Sequence, residues 1–173
     1  MEYVALDVET ANNHAGAICS IGLARFEDDE LVSQYYSLIR PPEEFGEFNY
    51  YCVAVHGITP ADLTESPTLA EAYDEIGGFI GDSLLVAHNS PFDSRHFHGA
   101  LDFFGIRKTY HFACTLALAR RTLDLPGYRL NQVCEHLGIP LGNYHNALDD
   151  AIACGKVYAR LKAGTVQNAG NKG

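Results

Sequence analysis

Short apolar runs alternate with polar segments in the first half of the chain and predict β-strands. Residues 3–8 form an apolar run bounded by polar residues, which is typical of a central strand buried on both faces. Two β-rich runs, 17–26 and 31–39, flank four acidic residues and predict a hairpin. A long loop follows, and residues 84–87 predict a second core strand.

Helical signals dominate the rest of the chain. Thr68 and Glu71 form a capping box that predicts a helix over residues 68–80. Ser90 as N-cap, followed by Pro91, predicts another helix directly after the strand at 84–87. A short strand and three further helices are predicted at residues 110–113, 116–123, 130–137 and 148–161.

This order of elements predicts one three-layer α/β domain with a mixed central sheet flanked by helices. The domain is expected to cover residues 1–163, and the polar segment 164–173 is expected to be a flexible tail. With 173 residues and 47% hydrophobic content, the chain has the size of a single globular domain.

Composition indicates the compartment in which the protein is expected. No run of 18 apolar residues is present, and acids interrupt the first ten residues, so neither a membrane span nor a signal peptide is expected. Five cysteines without a CxxC pair argue against a disulfide framework and against a zinc site. We therefore expect a soluble cytoplasmic protein that does not contact a membrane.

The net charge of −10 limits how the protein could bind nucleic acid. A protein that coats long nucleic acid neutralises phosphates with basic residues, and this chain has 12 of them against 22 acids. An enzyme that holds a few nucleotides through bound cations is compatible with this charge.

Four carboxylates and one histidine stand out. Asp7 and Glu9 are two residues apart on the first strand, so both side chains point to the same face, about 6–7 Å apart along the strand. Two like charges on a buried strand are costly unless a cation or a proton compensates them. The alternative is a strand end that has already emerged into solvent.

The last helix contains a carboxylate on its apolar stripe. At 3.6 residues per turn, Asp149 lines up with Lys156 and Arg160, whereas Asp150 lines up with Cys154 and Val157. A carboxylate on a buried helix face is normally paired or bound to a metal ion. Asp150 is therefore the candidate of the two.

Asp93 and His145 complete the set. Asp93 lies at the start of a helix that follows a core strand, where ligands of α/β sheets bind, although an acid at this position also complements the helix dipole. His145 is expected on the loop before the last helix, within reach of Asp150. Oxygen ligands favour Mg²⁺ or Mn²⁺, four acids would balance two such ions, and a nearby histidine suits a general base.

Three motifs together resemble the exonuclease motifs of the DEDD superfamily: VALDVET, AHNSPFD and HNALDD. They match the histidine-bearing branch (DEDDh), to which the epsilon proofreading subunit of bacterial replicative DNA polymerase belongs. HGIT at residues 56–59 and the ETAN after the first acids resemble free-standing epsilon-like exonucleases. The resemblance covers residues 1 to 161 and implies a ribonuclease H-like fold.

The resemblance also implies roles for individual residues. Asp7, Glu9, Asp93 and Asp150 would bind two divalent cations, Mg²⁺ or Mn²⁺, with Asp7 contacting both ions and Asp93 acting partly through water. His145 would deprotonate the water that attacks the terminal phosphodiester. The backbone of Thr10 and Ala11 would hold the terminal nucleotide, and its base and sugar would pack against three residues of the HGIT region, Val55, His56 and Ile58.

The function implied is a two-metal 3′–5′ exonuclease that releases nucleoside 5′-monophosphates from single-stranded DNA or RNA ends. Ribonuclease T-like and oligoribonuclease-like activities share this chemistry, so the choice of sugar stays open, as does the oligomeric state. A DNA polymerase or a repair assembly is a candidate partner. Two remote alternatives are a haloacid-dehalogenase-like phosphatase, suggested by the DxE spacing, and an inactive nucleic-acid-binding module.

Overall fold

The computed structural model describes residues 1–169, with side chains described up to Ala163. Its centre is one five-stranded mixed sheet in the order β3-β2-β1-β4-β5. Strands β1, β2 and β3 pair antiparallel, whereas β4 and β5 run parallel to β1. The strands are β1 Glu2–Thr10, β2 Ile18–Glu27, β3 Glu30–Leu38, β4 Leu84–Ala87 and β5 Phe112–Cys114.

Six α-helices within the described residues surround this sheet: α1 Tyr50–His56, α2 Leu69–Ile80, α3 Ser90–Phe103, α4 Thr115–Thr122, α5 Leu130–Leu137 and α6 Ala147–Ala169. The fold is the expected α/β arrangement of a mixed sheet flanked by helices. The capping box of Thr68 and Glu71 at the start of α2 is confirmed, as are the bounds predicted for α5.

Alternation along β1 divides the core into two layers. Val4, Leu6 and Val8 face the layer formed by α2 and α3. Tyr3 and Ala5 face the layer formed by α4, α5 and α6. Asp7 and Glu9 continue this second face, because side chains two residues apart on a strand share a side. The strand therefore directs its two acids toward α6.

The hairpin between β2 and β3 follows the prediction. Asp28 and Asp29 have φ angles of 48° and 70°, and two consecutive left-handed residues are characteristic of a type I′ turn. Aspartate tolerates this conformation better than most residues, because its short polar side chain bonds locally to the backbone.

The predicted long loop between β3 and α2 contains a helix that the sequence analysis missed. Helix α1 spans Tyr50–His56 between two short 3₁₀ turns at Glu43–Phe45 and Pro60–Leu63. Asn49 caps its first turn by accepting a hydrogen bond from Tyr51 N at 2.8 Å, and Gly57 ends it in the left-handed conformation. Both signals are present in the sequence, but a helix of only seven residues has little periodicity to reveal it.

Other boundaries also differ from expectation, among them that of β5, predicted at 110–113 and found at Phe112–Cys114. The N-cap position of α3 is Asn89, in the left-handed region at φ 72°, and Ser90 is the first helical residue. Helix α6 continues past its predicted end at residue 161 to Ala169. Residues 170–173 lie outside the described part of the chain. The flexible tail expected over residues 164–173 stays a prediction. None of the helices within residues 1–169 combines the length and apolar character that a bilayer crossing requires.

Candidate active site

The start of α6 packs directly onto the strand pair that carries the first acids. Asp7 on β1 lies opposite Gly22 on β2. A Cβ atom at Gly22 would overlap the backbone of Ala147, the first residue of α6. The missing side chain at position 22 therefore lets the first turn of α6 approach Asp7, and Asp150 belongs to this turn.

Asp150 faces the core, as its position on the apolar stripe predicted. Its side chain is only 4% exposed. Oδ2 accepts a hydrogen bond from the backbone N–H of His145 at 3.0 Å, whereas Oδ1 is buried with no hydrogen-bond partner among the described residues. One oxygen thus holds the loop before α6, and the other is left for a ligand.

Asp149 was predicted on a solvent-facing stripe of α6, but its carboxylate contacts the loop before that helix. Its Oδ2 accepts a hydrogen bond from the backbone N–H of Asn143 at 2.8 Å. Gly142 lies against the same carboxylate, so that a Cβ atom there would be 2.7 Å from Asp149 Oδ2. Adjacent carboxylates on α6 therefore hold two points of the loop that carries His145.

Asp93 reaches the acids of β1 from the opposite side of the sheet. It lies in the first turn of α3 and is 2% exposed. Its Oδ1 accepts a hydrogen bond from the backbone N–H of Val8 at 3.2 Å. Because Val8 separates Asp7 from Glu9, this bond brings the third carboxylate beside the first two.

Burial and mutual repulsion make these four acids hard to ionise. Burial and the carboxylates of Asp93, Glu9 and Asp150 raise the pKa of Asp7 well above its usual value. Burial, then Asp150 and Asp93, raise the pKa of Glu9 to about 8. Burial likewise raises the pKa of Asp93 to about 8 and that of Asp150 to about 6. Without a cation the cluster holds charge at a considerable cost in free energy.

His145 lies on the loop before α6, as expected. Its backbone is left-handed, with φ 69°, and its ring packs against Tyr144 with 3.9 Å between ring centroids. Partial burial, with a smaller effect of His56, lowers the pKa of His145 below its usual value. The neutral imidazole that this favours is the form able to accept a proton.

The side chains present fit a divalent metal ion. One ligand atom from each of Glu9, His145 and Asp150 lies within 4.8 Å of the others. The unpartnered Oδ1 of Asp150 is a buried acceptor that a cation would satisfy. A donor set dominated by carboxylate oxygens favours a hard cation over zinc.

The residues predicted to hold the terminal nucleotide lie just after the acids of β1, and several of their polar groups are already engaged. Thr10 and Ala11 are buried. The N–H of Ala11 bonds to the carbonyl of Ala17 at 2.8 Å, and its carbonyl accepts from Asn49 N at 2.8 Å. Their contact with a nucleotide stays a prediction.

His56 connects α1 to the end of β1. Its Nδ1 accepts from the N–H of Ile58 at 3.0 Å, so Nε2 carries the proton and donates to the carbonyl of Thr10 at 3.0 Å. Val55 is half exposed beside it. Since both ring nitrogens of His56 are occupied, any contact of this segment with a nucleotide would come from its apolar surface.

A cavity of about 460 Å³ opens at this end of the sheet. Asp7, Glu9, His145 and Asp150 line it, whereas Asp93 lies buried behind them. The other lining residues come from the end of β4 and the segments around α3, α4 and α5, together with Tyr144 and Val8: His88, Asn89, Phe92, Leu116, Arg120, Tyr128, Arg129 and Leu130. The two arginines were not predicted from the sequence, because they are nine residues apart and share the cavity only through the fold.

Comparison with known proteins gives one family. The family model described as Exonuclease (RNase_T) matches residues 4–158. The DNA polymerase III PolC-type of Thermotoga maritima is 33% identical over 162 residues, which are 92% of this chain. The same protein of Clostridium perfringens is 33% identical over 159 residues, 90% of this chain. The chain matches only 12% and 11% of the length of these two relatives.

Solved structures agree in fold. Exonuclease X in complex with 5′ overhanging duplex DNA superposes with a TM-score of 0.74 at 24% identity, covering 93% of this chain and 91% of that one. The nuclease domain of 3′hExo, a DEDDh family member bound to rAMP, gives a TM-score of 0.79 at 16% identity, covering 94% and 92%. Both likenesses identify the ribonuclease H-like fold of these nucleases.

Proposed function

The chain belongs to the exonuclease family, and from this premise we propose that it hydrolyses the terminal phosphodiesters at single-stranded 3′ ends of nucleic acid, releasing nucleoside 5′-monophosphates. The observation that supports this activity is the convergence of Asp7, Glu9, Asp93 and Asp150 with His145 at one end of the sheet. The relatives are DNA polymerases, so we take DNA as the first substrate to test.

Membership in this family implies dependence on a divalent metal, and the four carboxylates would hold it. Their four negative charges are the amount that two divalent cations balance, which supports two Mg²⁺ or Mn²⁺ ions. Bound cations would make the charge of the cluster tolerable and would offset the negative charge that develops on the phosphate during hydrolysis.

The side chains of the protein then have separate tasks. Asp7 and Glu9 provide a fixed edge of the site, because they extend from a central strand. Asp150 divides its two oxygens between the loop and the site. His145, neutral because its pKa is lowered, would accept the proton of the attacking water as general base.

Association with a polymerase or a repair assembly is a further part of the proposal. Its support is that the relatives are polymerases in which the matched region is a small part of the chain. The alternative is that the chain is active without a partner. Digestion of oligonucleotides by the chain alone, described next, distinguishes the two.

Digestion of end-labelled oligonucleotides tests the proposal. Single-stranded DNA and RNA of the same sequence, labelled at the 5′ end, are incubated with the protein and Mg²⁺ or Mn²⁺. We expect a ladder that shortens from the 3′ end, release of nucleoside 5′-monophosphates and no reaction after chelation of the metal. The relative rates then identify the preferred sugar.

Two results would contradict the exonuclease proposal. Release of inorganic phosphate from small phosphomonoesters, with the oligonucleotides intact, would support the phosphatase alternative. Thermal stabilisation by Mg²⁺ without any nucleotide release would support the inactive binding module.

A further inference from the structure

Two arginines line the same cavity as the carboxylates. Arg120 lies in the last turn of α4, and Arg129 immediately precedes α5. Both side chains are exposed. The ion pairs formed within the described residues do not include either of them. The two guanidinium groups are therefore available to a ligand in the cavity.

The backbone that carries these arginines is held in place by hydrogen bonds. His88, at the end of β4, has its Nε2 2.8 Å from the carbonyl of Tyr128 and its Nδ1 2.9 Å from Oγ1 of Thr115. Its ring thereby links the start of α4 to the residue before Arg129. The N–H of Arg129 in turn donates to Oε1 of Gln132 at 3.0 Å. The positions of both arginines are thus coupled to the strand end that precedes Asp93.

Charge indicates what such a pair would bind. The chain carries a net charge of −10, and the carboxylates on the cavity floor repel anions unless cations cover them. An unpaired arginine in that cavity is a local source of attraction for an anion. The planar guanidinium matches phosphate oxygens in a bidentate manner.

The chemistry of a 3′ end identifies which phosphate is available. The proposed function assigns the scissile phosphate to the carboxylate cluster and its cations. The terminal nucleotide ends in a hydroxyl, so the next phosphate of the strand lies on the 5′ side of the scissile bond. Arg120 on α4 and Arg129 just before α5 belong to segments that contribute none of the acids, which leaves them free for this neighbouring group.

We propose that Arg120 and Arg129 bind the non-scissile phosphate on the 5′ side of the cleaved bond. This inference rests on the proposed function and refines its substrate class. The preferred substrate is a strand with at least two phosphates, bound through its backbone and without regard to the base.

A pair of dinucleotides isolates this contact. Thymidylyl-(3′→5′)-thymidine contains only the scissile phosphate, whereas its 5′-phosphorylated form also carries the neighbouring one. We expect the wild type to hydrolyse the phosphorylated form with a kcat/KM about tenfold higher or more, as for a hydrogen bond to a charged group. In the Arg120→Gln/Arg129→Gln double variant this ratio should fall to about 1–2, mainly through KM.

Arg121→Gln is the matched control. Arg121 is the neighbour of Arg120 on α4 and is also exposed, but it does not line the cavity. Its variant should keep the ratio of the wild type. Gln has a helix propensity close to that of Arg, so all these variants should unfold at the same temperature as the wild type.

Equilibrium binding supplies a readout that does not depend on cleavage. Fluorescence anisotropy of labelled (dT)₄ is measured against KCl concentration in the His145→Ala background. Each lost phosphate contact should reduce the slope of log K against log[KCl] by about 0.7. The arginine variants should show this reduction, and the Arg121 variant should not.

The outcomes separate the two proposals. If the double variant keeps the phosphorylated-to-unphosphorylated ratio and the salt slope, the arginine assignment is overturned. The same holds if Arg121→Gln lowers both as much as the double variant does. If the wild type cleaves neither dinucleotide nor the longer strands, the exonuclease function fails, and the anisotropy slopes still decide whether the arginines bind phosphate.

Discussion

The acids of β1 and the histidine of the 142–146 loop reach one cavity by different structural means. Asp7 and Glu9 lie on the part of β1 that pairs with β2, so the backbone ladder determines their spacing and direction. His145 lies on a loop, in a left-handed conformation, and the carboxylates of Asp149 and Asp150 bind the backbone of that loop.

This difference shows where the site is rigid and where it can be adjusted. Displacing the strand pair would require breaking the central sheet. Displacing the loop requires the loss of only one or two hydrogen bonds, each worth about 0.5–1.5 kcal/mol, or up to about 3 kcal/mol with a charged acceptor. Asp150 of α6 connects the loop with the carboxylate cluster, because its Oδ2 holds the loop and its Oδ1 is left for a ligand.

The largest effect is expected at the strand. Asp7→Asn should lower exonuclease activity below detection, because it removes the central charge of the cluster. In the metal-free protein this variant should raise Tm, by about 3 °C for each kcal/mol of repulsion relieved. Added Mg²⁺ or Mn²⁺ should raise the Tm of the wild type much more than that of the variant. Thermal scans with metal and with chelator measure both, and an equal metal response would contradict the assignment of Asp7 as a ligand.

A smaller effect is expected at the loop. His145→Ala should reduce turnover by about 10²–10⁴, the range for loss of a general base, while the rise in Tm on adding metal is retained. Single-turnover kinetics and thermal scans check the two parts. His136→Ala, an exposed histidine on α5, is the control. If the metal response disappears together with activity, His145 is a ligand rather than the base.

The smallest effects are expected at the contacts that hold the loop. Gly142→Ala would place a Cβ atom 2.7 Å from Asp149 Oδ2 and displace the bond to Asn143. A shift of the loop should reduce turnover about tenfold with little change in Tm. Asp149→Asn keeps an acceptor oxygen and should stay within about threefold of the wild type.

Gly78→Ala is the control for this pair, because a Cβ atom at Gly78 of α2 would meet no atom within 4 Å. Steady-state rates on the same oligonucleotide rank the three variants. Equal activity of Gly142→Ala and Gly78→Ala would show that the loop position does not limit catalysis.

The strand-borne part of the site was predictable from the sequence, because a period of two residues places Asp7 and Glu9 on one side whatever surrounds them. The helical period likewise separated Asp150 from Asp149. The role of Asp149 in the loop was not predictable, since it depends on a backbone N–H six residues earlier. Helix propensity and local spacing carry no information about such a contact.

Two other features lay beyond local patterns. Asn89 adopts a left-handed conformation as the N-cap of α3, so the helix begins one residue earlier than an N-cap at Ser90 predicts. Arg120 and Arg129 share a cavity only because α4 and the start of α5 come together in the fold. Long-range placement of this kind follows from tertiary packing, which no single segment encodes.

Gly22 has a consequence for how related chains are recognised. It takes no part in any chemistry, yet a methyl group there would wedge the first turn of α6 away from the strand beneath it. A homologue that kept every acid and the histidine but replaced this glycine would still pass a search based on the three motifs. We expect such a chain to be inactive, because of a substitution at a position that the three motifs do not include.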